Sequence, residues 1–292
     1  MRTRSIAIAN QKGGVGKTTT AVNLAACLAE MGKHTLLLDL DPQGNATSSL
    51  GLEKLPGGSV YRALLGGVPL ADSVRPSGID HLDVIPSEVD LAVAEVDVAR
   101  QENYLHRLKL ALVPLHDASR YDFILVDCPP SLGILTMNAL AAVDCVLIPI
   151  QCEYFALEGL AVISRVIRQI RESGANPRLN LAGIVMTMFD GRTNLAQQVV
   201  QEVRTHFPNR VFQTVIPRTV RLAEAPSFGK PITVYDSGSL AARAYRDLAE
   251  ELVASVTAPA PPVPAEPAAS AEPAPAIPTT PPATGTLSGS NG

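Results

Sequence analysis

The run Lys12-Gly13-Gly14-Val15-Gly16-Lys17-Thr18-Thr19 stands directly after a short apolar stretch of strand character and directly before a long helical pattern. Strand, glycine-rich loop, helix is the context in which such a run becomes a phosphate cradle. Glycines 13, 14 and 16 let several backbone N–H groups converge, and the helix that follows turns its positive end toward the same point. Polyphosphate would then be held largely by main chain. In that arrangement Lys17 sits on the β- and γ-phosphates and Thr18 places its hydroxyl on Mg²⁺. The nucleotide-contacting set read from the loop itself is Gly13, Gly14, Val15, Gly16, Lys17, Thr18 and Thr19.

The rest of residues 1–257 suits that context. Short β-branched or Leu-rich runs at 5–9, 35–39, 82–85, 123–127, 145–150, 181–186 and 211–215 alternate with helical patterns at 17–31, 103–116, 136–142, 157–173, 195–207 and 239–256. In the fifth helix Leu195, Val199, Val203 and Phe207 recur every four residues. Such alternation predicts an α/β fold, a doubly wound, mostly parallel sheet flanked by helices, in which ligands collect at the carboxyl ends of the strands. At 46% apolar and 18% charged the chain is too apolar for a disordered one. No apolar run reaches the roughly 18 to 20 residues of a membrane span, and Met1-Arg2-Thr3-Arg4 leads into a short strand rather than a secretory segment, so a cytoplasmic address is expected. Cys27, Cys128, Cys145 and Cys152 lack metal-ligand spacing and read as small buried hydrophobes.

Composition changes abruptly near Thr257. Residues 258–292 hold 10 of the 24 prolines, no Lys or Arg, no aromatic residue, and only Glu266 and Glu272 as charges. Such a segment cannot bury a core, so a folded domain over 1–257 and a disordered, Pro/Ala-rich C-terminal tail over 258–292 are expected. The tail offers no basic amphipathic helix for a membrane surface, so no membrane partner is expected.

Two acids, Asp39 and Asp41, end the second strand beside the glycine loop, where a hydrolase needs a group to position its attacking water. Ile124-Leu125-Val126-Asp127 is an apolar strand ending in a lone acid, placed to reach Mg²⁺ through water. No lysine is followed two residues later by Asp, so no guanine-reading motif is present and ATP is the expected nucleotide. The formal net charge of −4 hides an asymmetry. Residues 192–246 carry eight Lys or Arg against Glu202, Glu224 and Asp236, which leaves one region able to meet a phosphate backbone.

The loop departs from the strict phosphate-binding pattern in having Gln11 at the first glycine position and a second lysine, Lys12, after it. In this it resembles the deviant Walker A loop of the ParA/MinD group of ATPases. The resemblance implies that Lys12 acts in trans, on the nucleotide of a partner subunit in a homodimer formed with ATP. Asp39-Leu40-Asp41-Pro42-Gln43-Gly44-Asn45 and Cys128-Pro129-Pro130-Ser131 also resemble that group, implying that Asp41 orients or activates the water, with Lys12, Lys17 and Asp41 as the catalytic set. The runs at 151–159, 187–195 and 216–232 are similar to the chromosomal branch called Soj. That likeness implies base contacts at Pro217 and Thr219, sequence-independent binding of double-stranded DNA through Arg192 and Arg221, nucleoid association, and a ParB-like centromere-binding partner that stimulates slow hydrolysis. Thr219 replaces the family's Asn, and Arg218 is an ambiguous neighbour of the DNA-binding pair. A MinD-like ATPase of division-site placement is the alternative implied by the shared loop.

Overall fold

The computed structural model describes residues 2–257 apart from Leu55 and Ser119; the segment 258–292, expected to be a tail, lies outside the described residues. The chain runs β1 (Arg4–Ile8), α1 (Lys17–Glu30), β2 (Thr35–Asp39), α2 (Asn45–Ser49), α3 (Tyr61–Leu64), β3 (Arg75–Ile79), β4 (Leu82–Ile85), α4 (Ala94–Ala99), α5 (Arg107–Asp117), β5 (Phe123–Asp127), α6 (Ile134–Ala142) and β6 (Cys145–Gln151). It continues through α7 (Ala156–Glu172), β7 (Asn180–Phe189), α8 (Asn194–His206), β8 (Val211–Pro217), α9 (Val220–Glu224), α10 (Ile232–Tyr235) and α11 (Leu240–Thr257).

The strands form one eight-stranded sheet in the order β3-β4-β2-β5-β1-β6-β7-β8. All neighbours are parallel except the edge pair β3 and β4, which is antiparallel. The doubly wound, mostly parallel fold expected from the alternation is the fold observed. Central strands read as near-continuous apolar runs because both faces are covered. Within β5, Ile124 and Val126 join the core beneath α5, α6 and α7, whereas Phe123 and Leu125 join the opposite core with α1 and α11. All four cysteines are free and buried, as read from their setting.

Two expectations need correction. In α8 the buried stripe is Ala196, Val199, Val200 and Val203, while Leu195 is half exposed and Phe207 caps the helix end. A four-residue step overshoots the 3.6-residue turn, so residues spaced by four drift round the helix and Leu195 leaves the core face, while Phe207 stays partly buried against the core. The predicted helix at 103–116 is a 3₁₀ turn over Tyr104–His106 followed by α5. Strand β3, whose sequence holds Pro76 and Gly78, has no sequence signal of the usual kind; it forms at an edge, where one side of the backbone needs no ladder partner. Among the described residues no helix is long and apolar enough to cross a membrane.

Candidate nucleotide site and basic surface

Strand β1 lies between β5 and β6, so the loop after it opens at the centre of the sheet's carboxyl edge. Gly16, at φ 85°, immediately precedes α1 and gives no side-chain cap to it. The first N–H groups of a fourteen-residue helix are therefore left to an outside acceptor. The loop is braced from three sides. Asn10 donates its side-chain amide to the Pro149 carbonyl (2.8 Å) and accepts from the Lys12 N–H (3.0 Å). Thr187 at the end of β7 donates its hydroxyl to the Val15 carbonyl at 2.8 Å. Lys17, nearly buried, folds its ammonium back to donate to the Lys12 carbonyl at 2.9 Å. Lys12 takes a different course: its ammonium forms an ion pair with Glu153, just past β6, at 2.6 Å, and its side chain stays 40% exposed. The two lysines of one bend thus have separate partners.

Three acids face this loop. Parallel pairing of β2 with β5 sets Asp39 directly beside Asp127, and Asp41 follows two residues on. The Asp39 carboxylate accepts from the Thr47 hydroxyl (2.6 Å) and N–H (2.8 Å), yet complete burial outweighs these bonds and pushes its pKa up to about 6. Asp127 is more exceptional. Both of its oxygens are buried with no hydrogen-bond partner; the Thr18 hydroxyl is near enough to favour the charged form without making a bond. Burial first, and then the neighbouring Asp39 charge, raise the Asp127 pKa well above the carboxylate range. Burial lowers the Lys17 pKa, and Asp127 counters part of that shift. Asp41, also buried, accepts from the Gln43 N–H at 2.9 Å, and its carbonyl accepts from the Ser87 hydroxyl at 2.6 Å.

An orphaned, fully buried carboxylate is costly unless something else completes it. A divalent cation fits here. Among the described residues no three His, Cys, Asp or Glu side chains converge in metal-ligand geometry, so its oxygens would come from Thr18, phosphate and water, the hydrated binding that suits Mg²⁺.

The remaining predicted residues gather on the neighbouring strand ends. Phe189 of β7 and Pro217 of β8 lie in register, and Arg218 donates its N–H to the Phe189 carbonyl at 3.0 Å. Thr219 caps α9, its hydroxyl accepting from the Leu222 N–H at 3.2 Å. Arg192, 89% exposed at its side chain, makes a forked pair with Asp190, Nε to Oδ1 at 2.8 Å and Nη2 to Oδ2 at 2.7 Å. Arg221 lies 3.4 Å from Glu224, 3.5 Å from the Tyr235 hydroxyl and 3.8 Å from Asp236. The loop residues, Asp41 and Asp127 thus come together in one site. Pro217, Thr219, Arg192 and Arg221 belong to the adjacent β7–β8 end of the same sheet edge.

Sequence reasoning missed Asn10, Thr47, Ser87, Glu153 and Thr187. Ser87, Glu153 and Thr187 act through partners distant along the chain, whereas Thr47 on Asp39 and Asn10 on Lys12 act locally; Glu153 and Thr187 lie in the family-like runs 151–159 and 187–195 without having been singled out there. Thr187 directly follows the predicted strand 181–186, and Glu153 comes shortly after the predicted strand 145–150, at the edge where ligands collect.

A family model described as an AAA domain matches residues 3–181. The chain is 52% identical to the chromosome partitioning protein ParA of Myxococcus xanthus, over 88% of this chain and 90% of that protein. It is 51% identical to the sporulation initiation inhibitor protein Soj of Bacillus subtilis, over 86% of this chain and 98% of that one. Among solved structures it is similar to cobyrinic acid a,c-diamide synthase from Mycobacterium smegmatis with bound ATP analog and magnesium. That likeness has a TM-score of 0.76 and 37% identity, covering 88% of this chain and 96% of the other. It is also similar to the septum site-determining protein MinD of Pyrococcus horikoshii complexed with Mg-ADP, with a TM-score of 0.70 and 26% identity over 88% and 99% of the two chains.

Proposed function

Because the chain belongs to the ParA/Soj family of chromosome-partitioning ATPases, we propose that it is an ATP-driven switch for DNA segregation, binding DNA as an ATP-loaded homodimer and releasing it after hydrolysis. The observation that carries this reading is the division of labour between two lysines on one bend. Lys17 is drawn inside onto the loop's own carbonyl, where it meets the triphosphate of its own protomer. Lys12 is half exposed on a carboxylate that a second protomer's nucleotide would replace, so it acts in trans on the transferring γ-phosphoryl.

The bared N–H groups at the start of α1 take the phosphates, with Gly13, Gly14, Val15, Gly16 and Thr19 shaping the cradle. Thr18 and, through water, Asp127 would hold Mg²⁺, which would neutralise charge on the β- and γ-phosphates. Asp41, anchored by Gln43 and Ser87, orients the attacking water, and Asp39 supports the turn that carries it. Pro217 and Thr219 meet the adenine. The Thr219 hydroxyl is committed to the α9 cap, so its contribution there is main chain and methyl group.

Arg192 and Arg221 meet DNA phosphates without reading bases. Dimer formation doubles these contacts and makes affinity steeply dependent on nucleotide and salt. A ParB-like, centromere-bound partner stimulates turnover that is slow alone, because the site is complete only in the dimer. The protein is accordingly nucleoid-associated. The deciding measurement is binding to a random-sequence duplex with ATP, ADP or no nucleotide across a salt series. Retention with ATP alone, falling steeply with salt, is expected; equal binding in all three states refutes the reading.

A further inference from the structure

Both arginines assigned to DNA are already occupied by carboxylates of their own chain. Asp190 and Arg192 pair through two parallel bonds, and Asp190 Oδ1 also accepts the Arg192 N–H at 3.1 Å, so side chain and backbone are held together. This fork is the geometry in which a guanidinium grips a phosphate. The pairing holds the Asp190 carboxyl down at about 2, first through the Arg192 side-chain bonds, with Arg218 adding its charge from the next strand. Arg221 is likewise shared among Glu224, Tyr235 and Asp236, and the Tyr235 hydroxyl donates to the same Glu224 oxygen at 3.1 Å. The two arginines remain 89% and 62% exposed at their side chains, so phosphate can reach them, but there it competes with an internal anion for the guanidinium.

We propose that Asp190 and Glu224 are built-in competitors for DNA phosphate, which weaken each protomer's grip until only the paired surface of a dimer retains DNA. The idea rests on the reading that Arg192 and Arg221 contact DNA, and it assigns Asp190 and Glu224 a role of their own. An exposed pair of this kind is worth up to about a fivefold factor. Since each latch occurs twice in a dimer, removing one type alters dimer affinity by up to about twenty-fivefold. The salt response should change too. When phosphate displaces Asp190, the freed carboxylate collects a counterion and cancels part of the counterion release; with a neutral residue nothing is cancelled and the slope steepens.

The test is fluorescence anisotropy with a labelled random-sequence duplex, with Mg²⁺ and either ATP or ADP, over a salt series. The variants are Asp190→Asn, Glu224→Gln, Arg192→Ala, the doubles Asp190→Asn/Arg192→Ala and Asp190→Asn/Glu224→Gln, and Glu202→Gln. Glu202 is an exposed acid on α8 without an ion pair among the described residues, so its variant reports the mere loss of one negative charge. Asp190→Asn should tighten binding severalfold beyond Glu202→Gln, steepen the salt slope, and lose that gain entirely when Arg192 is also removed. Asp190→Asn with Glu224→Gln should give measurable binding with ADP. If Arg192→Ala leaves binding unchanged, the assignment of Arg192 to DNA falls. If Arg192→Ala weakens binding but Asp190→Asn matches Glu202→Gln or binds less tightly, the competitor role alone is overturned. Circular dichroism melting of each variant confirms that the fold is retained.

Discussion

Replacing Asp127 by Asn should stabilise the protein in the absence of metal and shrink the stabilisation that Mg²⁺ and ATP add. Asp127 is fully buried, neither oxygen has a hydrogen-bond partner, and Asp39 lies beside it in register. A buried polar group left unpaired costs about 1–3 kcal/mol, and a charge costs more, so exchanging the carboxylate for an equally orphaned neutral amide recovers on the order of 1–3 kcal/mol. In a domain of this size that is about 3–9 °C in Tm. The gain must depend on pH. An acid with a raised folded pKa keeps a proton in the folded state that the unfolded chain has already released. Stability therefore falls as pH climbs from the ordinary carboxylate range through the raised value, and is flat above it. The advantage of Asp127→Asn should consequently be largest at pH 8 and shrink toward pH 5. Bound nucleotide at a hundred times its Kd adds about 2.7 kcal/mol to the parent; the variant should gain less than half of that. Circular dichroism melting at 222 nm in EDTA from pH 5 to 8, repeated with Mg²⁺ and ATP, reads all of this. A variant less stable than the parent at pH 8 in EDTA, or an offset that ignores pH, refutes the account of Asp127 as an orphan awaiting a cation.

The other expectations are simpler. Lys17→Ala should abolish ATP binding by calorimetry, whereas Lys12→Ala should bind ATP yet remain a monomer by light scattering, because its ammonium belongs to Glu153 and not to its own phosphate cradle. Asp41→Ala should reduce phosphate release by at least tenfold while leaving an ATP-loaded dimer trapped on DNA. Gly229→Ala should lower Tm by about 5–12 °C without touching nucleotide affinity. Its backbone sits at φ 62°, and an added Cβ would lie 2.7 Å from the Gly51 Cα, a combined cost on the order of 2–4 kcal/mol.

How much of the molecule could be read from the chain depends on how local each cause is. Strands β2 and β5 were legible to the residue because doubly covered strands are apolar through their middles, and Leu36-Leu37-Leu38 or Ile124-Leu125-Val126 admit little else. Strand β3 was not, since Arg75-Pro76-Ser77-Gly78-Ile79 pairs only along one edge and buries almost nothing. The cradle was legible for the same reason as β2: Gly14 and Gly16 adopt positive φ, a backbone demand written into residue identity. Glu153 was illegible, because a lone glutamate gains its meaning from Lys12, 141 positions away along the chain. The arginine latches fall between these cases. Arg192 stood out through its charge and motif, yet Asp190 two residues earlier was passed over, since nothing in Asp-Gly-Arg distinguishes a turn residue from an anion competing with phosphate. That difference is set by side-chain geometry, two bonds in parallel and not one. It follows that the basic total of a surface segment overstates its readiness for DNA, and that what matters is how many of its cations must first give up a partner.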